Sequence, residues 1–213
     1  MTPRTALSIA GSDPSGGAGI QADLKTFAAL GVYGMAAIAG LTAQNTQGVR
    51  AASALDPGFV VAQVEAVLDD IEVHATKLGM LTNTGIAQAV AELILRRRED
   101  FGFVVLDPVM VATSGDRLLT DDAIAVVRTQ LLPLADLVTP NVPETAVLTG
   151  SPPARSAEEL LAQAECLVAA GAHAVLAKGG HLEGEEMTDL LVTGKGATAF
   201  TSSRVATRNT HGT

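Results

Sequence analysis

The sequence predicts an α/β fold, three layers deep, with a mainly parallel central sheet between helices. Three observations carry this. Short apolar runs alternate with stretches whose apolar residues recur every three or four positions, the pattern of parallel strands joined by crossover helices. The composition is 47% hydrophobic with 17% charged and only 3% aromatic residues, which suits tightly packed layers of small aliphatic side chains. The apolar runs also end on polar or glycine-rich groups, and in such sheets ligands bind beyond the carboxyl ends of the strands. The chain of 213 residues is read as a single domain, long enough for a substantial core.

The first strand is Ala6-Leu7-Ser8-Ile9-Ala10, followed by the joint Gly11-Ser12-Asp13-Pro14-Ser15-Gly16-Gly17-Ala18-Gly19. Four glycines in these nine residues let another molecule approach the backbone. The helix behind them, with Ile20, Leu24, Phe27 and Leu30 at helical spacing, opens with N–H groups that suit polar or anionic ligand atoms. Asp23 stands about one turn into that helix, placed to accept a hydrogen bond from a ligand hydroxyl.

Residues 35–41 form a second strand running out into Thr42-Ala43-Gln44-Asn45-Thr46-Gln47-Gly48. Asp56-Pro57 opens a helix as N-cap and first residue, with Val60, Val64, Val67, Leu68 and Ile71 on its apolar face. Residues 75–80 are a third strand, and Asn83 caps a helix reaching about Arg98, whose Arg96-Arg97-Arg98 end complements the helix dipole in solvent. Phe103-Val104-Val105-Leu106 is a fourth strand ending at Asp107-Pro108-Val109-Met110, before the loop Ala112-Thr113-Ser114-Gly115-Asp116 and a helix from about Asp121 to Leu132. Leu137-Val138-Thr139 is a fifth strand ending at Pro140-Asn141, and Pro143-Glu144 opens a short helix. Ser156-Ala157-Glu158-Glu159 reads as a capping box for a helix to about Gly171. Ala174-Val175-Leu176-Ala177 is the sixth strand, ending at Lys178-Gly179-Gly180-His181, and a hairpin follows around Gly194-Lys195-Gly196. The strand ends thus deliver Gln44, Lys77, Asp107, Asn141, Glu144, Lys178 and His181, with the glycine-rich joint, to one rim.

Two nucleotide fingerprints fail on this joint. Gly17-Ala18-Gly19-Ile20-Gln21-Ala22 fits G-x-G-x-x-G/A, but the glycines do not follow the strand directly and residues 39–44 lack the required acid. No Gly-Lys-Ser/Thr tripeptide completes a Walker A loop. The 14 Lys and Arg against 23 Asp and Glu leave a net charge of −9, which argues against nucleic acid or an anionic membrane as partner. The single Cys166 excludes an internal disulfide and is expected to be a buried core thiol. No leader and no long apolar run is present, so a cytoplasmic location is expected.

Residues 9–26, Ile9-Ala10-Gly11-Ser12-Asp13-Pro14-Ser15-Gly16-Gly17-Ala18-Gly19-Ile20-Gln21-Ala22-Asp23-Leu24-Lys25-Thr26, resemble the opening signature of bacterial hydroxymethylpyrimidine/phosphomethylpyrimidine kinases, members of the ribokinase-like superfamily. The resemblance continues through Thr42-Ala43-Gln44-Asn45-Thr46, Lys77-Leu78-Gly79-Met80-Leu81, Asp107-Pro108-Val109-Met110, Ser114-Gly115-Asp116, Thr139-Pro140-Asn141-Val142-Pro143-Glu144, Lys178-Gly179-Gly180-His181 and Asn209-Thr210-His211-Gly212-Thr213. It implies a ribokinase-like fold and an ATP- and Mg²⁺-dependent kinase acting on 4-amino-5-hydroxymethyl-2-methylpyrimidine and then on its monophosphate, in thiamine biosynthesis.

The resemblance also implies roles. Gln44 matches the position that reads the aminopyrimidine edge, a task suited to a group that both accepts and donates. Gly11 and Asp23 match positions around the hydroxymethyl group, Met80 an apolar contact with the ring, and Asp107 belongs to the substrate side of the rim. Asn141 and Glu144 match an N-x-x-E pair that holds Mg²⁺ and the phosphates, partly through water. Lys178 and Thr210 match nucleotide contacts, and His181 is left without a role. In the family the last motif continues as Gly-Thr-Gly-Cys into a helix whose N–H groups form an anion hole. Thr210, Gly212 and Thr213 are half of that hole, and the catalytic base is expected beyond Thr213, with the C-terminal helices. A homodimer is expected. The alternatives are a pyridoxal kinase of the same superfamily, against which the residues 42–46 segment speaks, and a non-catalytic pyrimidine-binding protein.

Overall fold

Strand β1 (Thr5–Gly11) lies inside a sheet whose order, among the described residues, is β3-β2-β1-β4-β5-β6-β7-β8-β9. The computed structural model describes residues 3–110 and 120–205. The strands are β2 (Tyr33–Asn45), β3 (Gly48–Ala54), β4 (Ala75–Leu78), β5 (Phe103–Leu106), β6 (Leu137–Val138), β7 (Ala174–Ala177), β8 (Glu186–Thr193) and β9 (Gly196–Ser203). The helices are α1 (Gly19–Ala29), α2 (Pro57–Leu68), α3 (Thr84–Arg96), α4 (Asp121–Val126), α5 (Val142–Thr149) and α6 (Ala157–Ala169). β2, β1, β4, β5, β6 and β7 are mutually parallel, and the antiparallel pairs β2–β3, β7–β8 and β8–β9 flank them.

Chain direction along the sheet reverses at β1. The β1–α1–β2 crossover runs one way, and the chain then returns through α2 to β4 on the other side of β1. Right-handed crossovers in opposite directions place α1 on one face and α2 on the other. α3 packs against α2 on one side and α4 on the other, α5 packs on α6, and α1 packs on β1 and β2. Thr76 and Leu78, Val104 and Leu106, Val138, and Val175 and Ala177 are buried, whereas the alternating Lys77, Val105, Leu137 and Leu176 are half-buried. This period-two contrast shows that the two faces of the sheet are covered unequally.

Caps placed from sequence are present. Asp56 accepts from Phe59 N–H with Pro57 in the first turn, and Asn83 accepts from Ile86 N–H. Ser156 caps α6, but Glu159 accepts from the N–H of Arg155, so the box reaches back one residue further than predicted. The helix predicted to Leu132 is α4 followed by a widened turn at Val127–Leu131 and a tighter one at Leu132–Leu134, where Pro133 removes a helical donor.

Four expectations need correction. β2 runs on to Asn45 and turns back into β3, a strand not anticipated because Gly48-Val49-Arg50-Ala51-Ala52-Ser53-Ala54 carries no apolar alternation. Cys166 is exposed: α6 buries Leu160, Ala164 and Leu167, and the residue before Leu167 is rotated about 100° off that face. Arg97 and Arg98 do not simply complement a dipole in solvent. Arg97 pairs with Asp69 at 2.6 Å and Asp100 at 2.7 Å, and Arg98 with Asp136 at 2.7 Å. Leu30 is 74% exposed, so the apolar face of α1 is carried by Ile20, Leu24 and Phe27.

Candidate active site

The strand order reverses at β1, and beyond the carboxyl ends of the strands at such a switch point, here β1 and β4, doubly wound sheets bind ligands in a crevice. The residues 11–19 joint lines one side of it. Gly16 and Gly19 have φ of +79° and +58°, a region an L side chain enters at a cost, and a Cβ on Gly19 would be driven into the carbonyl of Gly11. The joint is organised by Asp13, which is 1% exposed. Its carboxylate accepts from Ser15 N–H at 2.8 Å, Ser15 Oγ at 2.7 Å, Gly17 N–H at 3.1 Å and Ala18 N–H at 2.8 Å. The N–H groups expected to suit an anion are those that open α1 at Gly19; ahead of them the joint's own N–H groups are already engaged. Three loop N–H groups ahead of α1 are held by the chain's own carboxylate. Gln21 Oε1 accepts from Asp13 N–H, and Lys25 Nζ donates to the Gly16 carbonyl at 2.8 Å.

Gly11 ends β1 directly against Met80, whose thioether methyl occupies the space a Cβ on Gly11 would need. Met80 follows β4 on a turn that contains Thr82 at φ +56°, the one non-glycine residue with positive φ among the described residues. Such conformations persist where surrounding structure holds them, here the bond from Thr82 Oγ1 to the Ala39 carbonyl and the start of α3. Gln44 is half-buried near the end of β2, and its carboxamide forms no hydrogen bond among the described residues. β2 is tied to the joint by Ser12 N–H on the Gly40 carbonyl and Thr42 Oγ1 on the Ser12 carbonyl.

A chain of charges crosses the rim. Asp23 accepts from Ser8 Oγ at 2.6 Å and pairs with Lys77 Nζ at 2.9 Å. Lys77 also approaches Asp107 at 3.5 Å, and Asp107 lies 3.4 Å from Lys178 Nζ. Ser8 and Lys77 are register partners in the β1–β4 pair, which sets both beside Asp23 of α1. Lys178 follows β7, bridges Asn141 through the backbone and donates its N–H to the Pro140 carbonyl.

Asn141 and Glu144 form a capping box at the start of α5: Glu144 N–H donates to Asn141 Oδ1 at 2.9 Å and Asn141 N–H to Glu144 Oε2 at 2.8 Å. Glu144 is 4% exposed, and burial pushes its carboxyl from 4.5 up to about 7 despite the opposing N–H of Asn141, the ammonium of Lys178 and the N–H of Met110. Burial, then Lys178 and Arg204, hold His181 below its ordinary value.

The structure therefore brings Asp23, Asp107, Lys178 and Glu144 into one electrostatic array and Gly11 against Met80, with Gln44 joined through the end of β2. Thr210, Gly212 and Thr213, with Ser114-Gly115-Asp116, lie outside the described residues. Among the described residues no group of three or more His, Cys, Asp or Glu is arranged to hold a metal by itself.

Comparison with known proteins agrees with this geometry. The phosphomethylpyrimidine kinase family profile matches residues 13–213. A hydroxymethylpyrimidine/phosphomethylpyrimidine kinase of Escherichia coli is 52% identical over 208 residues, spanning 98% of this chain and 77% of that protein. The chain belongs to the phosphomethylpyrimidine kinase family. A crystal structure of the Clostridium difficile phosphomethylpyrimidine kinase superposes with a TM-score of 0.85 at 41% identity, covering 92% of this chain and 84% of that one. An ADP complex of a Bacillus subtilis pyridoxal kinase gives 0.89 at 36% identity, covering 99% and 79%. The fold is accordingly the ribokinase-like three-layer one.

For a phosphomethylpyrimidine kinase family member the rim contains residues to which the sequence assigned no role. Lys77 stood in the rim without a function, and Ser8 and Asp13 were read as strand and loop residues. Ser8 is a small polar residue in an otherwise apolar strand, 0% exposed and donating to Asp23, and that mismatch was the available signal.

Proposed function

We propose that the protein transfers the γ-phosphoryl group of ATP to 4-amino-5-hydroxymethyl-2-methylpyrimidine and then to its monophosphate. The observation that carries this is the continuous array Asp23–Lys77–Asp107–Lys178 across the strand ends, with the Gly11–Met80 contact and the free carboxamide of Gln44 on its acceptor side. The family relationship supports the chemistry. In this reading Gln44 pairs with the aminopyrimidine edge, Met80, seated in the space Gly11 leaves, lies against the ring, and the Gly11 backbone borders the hydroxymethyl group. Asp23 accepts from the substrate hydroxyl through a carboxylate already steadied by Ser8 and Lys77. Asn141, Lys178 and Thr210 are assigned to the nucleotide phosphates, and Thr210, Gly212 and Thr213 to the anion hole.

The donor set fits Mg²⁺, which binds through one or two carboxylates plus phosphates and keeps several waters rather than needing an all-protein cage. Glu144, hard in its oxygen donors and fixed by the cap, would hold it with Asn141, and when bound it neutralises charge on the transferring phosphates. No described helix is long and apolar enough to cross a membrane. A cytoplasmic homodimer is part of the proposal, and light scattering checks its mass.

The test is Gln44→Ala. Removing the carboxamide leaves ring polar atoms unpaired, which costs about 1–3 kcal/mol in calorimetric affinity for the pyrimidine, with nucleotide affinity retained. Equal losses for both ligands, or pyridoxal preferred over the pyrimidine by the unaltered enzyme, refute the assignment.

A further inference from the structure

We propose that Lys77 is the residue that admits the monophosphate: its ammonium exchanges the Asp23 carboxylate for the phosphate of the phosphorylated pyrimidine. The inference rests on the acceptors named above and concerns what separates them. In the first transfer a neutral hydroxyl oxygen attacks the γ-phosphorus, and a proton must leave. In the second, a phosphate monoester oxygen attacks, a P–O–P bond forms, and ADP departs with the electrons of the broken bond. A monoester dianion has no proton to surrender, so the second transfer needs neutralisation of charge rather than a base.

The rim is poorly suited to an anionic acceptor as it stands. It presents Asp23, Asp107 and Glu144, and a monoester brings about −1.5 to −2 more at pH 7. Lys178 is committed to Asp107 and, in the proposed function, to the nucleotide. Lys25 is exposed and donates to Gly16. Lys77 stands between the two carboxylates, 2.9 and 3.1 Å from the oxygens of Asp23 and 3.5 Å from Asp107. Its side chain is 24% exposed, near enough to the crevice to reach an entering anion and dry enough for the pairing to count. Its release does not strand Asp23, which keeps the hydroxyl of Ser8 at 2.6 Å. A lysine suits this exchange, because its point charge on a flexible stem has three rotatable donors and no fixed fork to realign. Register fixes where it acts, since Lys77 pairs with Ser8 on one side and Val105 on the other and cannot slide along the rim.

The test compares both acceptors with one preparation of Lys77→Met in the full-length protein at saturating ATP. The ratio of their kcat/KM values is independent of the fraction of folded enzyme. The expected result is a KM for the monophosphate raised about tenfold or more, the size of one charged contact, with a much smaller change for the alcohol. Calorimetric titration with the monophosphate in the absence of nucleotide should weaken by the same factor. Lys77→Arg, which keeps the charge, should recover most of the loss. Equal losses for the two acceptors assign Lys77 to structure alone and overturn the inference, as does an unchanged monophosphate KM. An unaltered enzyme that phosphorylates neither pyrimidine overturns instead the function on which the inference rests.

Discussion

Glu144 makes the metal-free protein less stable as pH rises from about 4.5 to about 7. Its carboxyl titrates near 4.5 when unfolded and at about 7 when folded, chiefly because burial disfavours the charged form. The native state therefore binds more protons than the unfolded state inside that window, and unfolding free energy falls with pH there. The stabilisation is fully present below about 4.5 and gone above about 7. At 1.36 kcal/mol per pH unit the difference comes to about 3 kcal/mol, an upper figure because the cap bond from Asn141 and the nearby Lys178 soften with local opening. Glu144→Gln keeps an oxygen acceptor for the Asn141 N–H and removes the ionisation. Above pH 7 the variant should therefore gain up to about 3 kcal/mol on the wild type, and at pH 4.5 the two should converge. Urea denaturation of both proteins at several pH values, without Mg²⁺ or nucleotide, measures this, and the difference between them cancels every contribution common to the two. A difference independent of pH would refute the reasoning. The functional counterpart has the opposite preference, because Mg²⁺ requires the ionised carboxylate. With the carboxyl at about 7, the Mg²⁺ concentration for half-maximal turnover should rise about tenfold from pH 8 to pH 6 in the wild type. In Glu144→Gln it should be higher throughout and nearly flat.

Asp13→Ala leaves the N–H groups of Ser15, Gly17 and Ala18 without their carboxylate, and each stranded donor costs about 1–3 kcal/mol, so chemical denaturation should show a loss of about 3–9 kcal/mol. A loss below about 1 kcal/mol would mean that the loop holds its shape by other contacts. Lys178→Ala should raise the KM for ATP about tenfold, one charged contact, without shifting the Mg²⁺ requirement. A shifted Mg²⁺ requirement would place Lys178 on the metal instead.

Where the sequence carried a periodic or capping signal, element types were legible. Asp56-Pro57 and Asn83 marked helix starts because their side chains have only local work to do. Gly48–Ala54 gave no signal, since all seven residues are exposed or half-buried and the strand exists only because β2 overruns the sheet. The same limit applies to the site. Asp107, Asn141 and Lys178 could be read as rim residues from where their strands stop, but Asp23 acquires its partners from residues 15 and 54 positions away. No local pattern encodes a pairing set by the β1–β4 register. Asp13 was invisible for a related reason: its role is a loop conformation, and only the φ angles of Gly16 and Gly19 make its four donors converge.

The carboxylate inside the glycine-rich joint decides how the crevice divides its labour. A loop of amides ahead of a helix is ordinarily an anion receptor. Here the amides of Ser15, Gly17 and Ala18 are held from within, so the joint ahead of α1 contributes shape rather than those three donors. What it shapes is a surface with Gly11 stripped of a side chain and Met80 laid across it, suited to a flat, uncharged ring. Along the array positive charge stands first at Lys77 and then at Lys178, each paired with Asp107. A substrate aligned with that gradient has its ring at β1 and its phosphates toward β7. In the proposed function the transfer point would fall between the two lysines, beyond the end of β5, where Asp107 lies within 3.5 Å of both. In the proposed function the nucleotide would be held at α5 by Asn141 and Glu144 and the ring at β1 by Gly11 and Met80, so the array between them is where the two would meet.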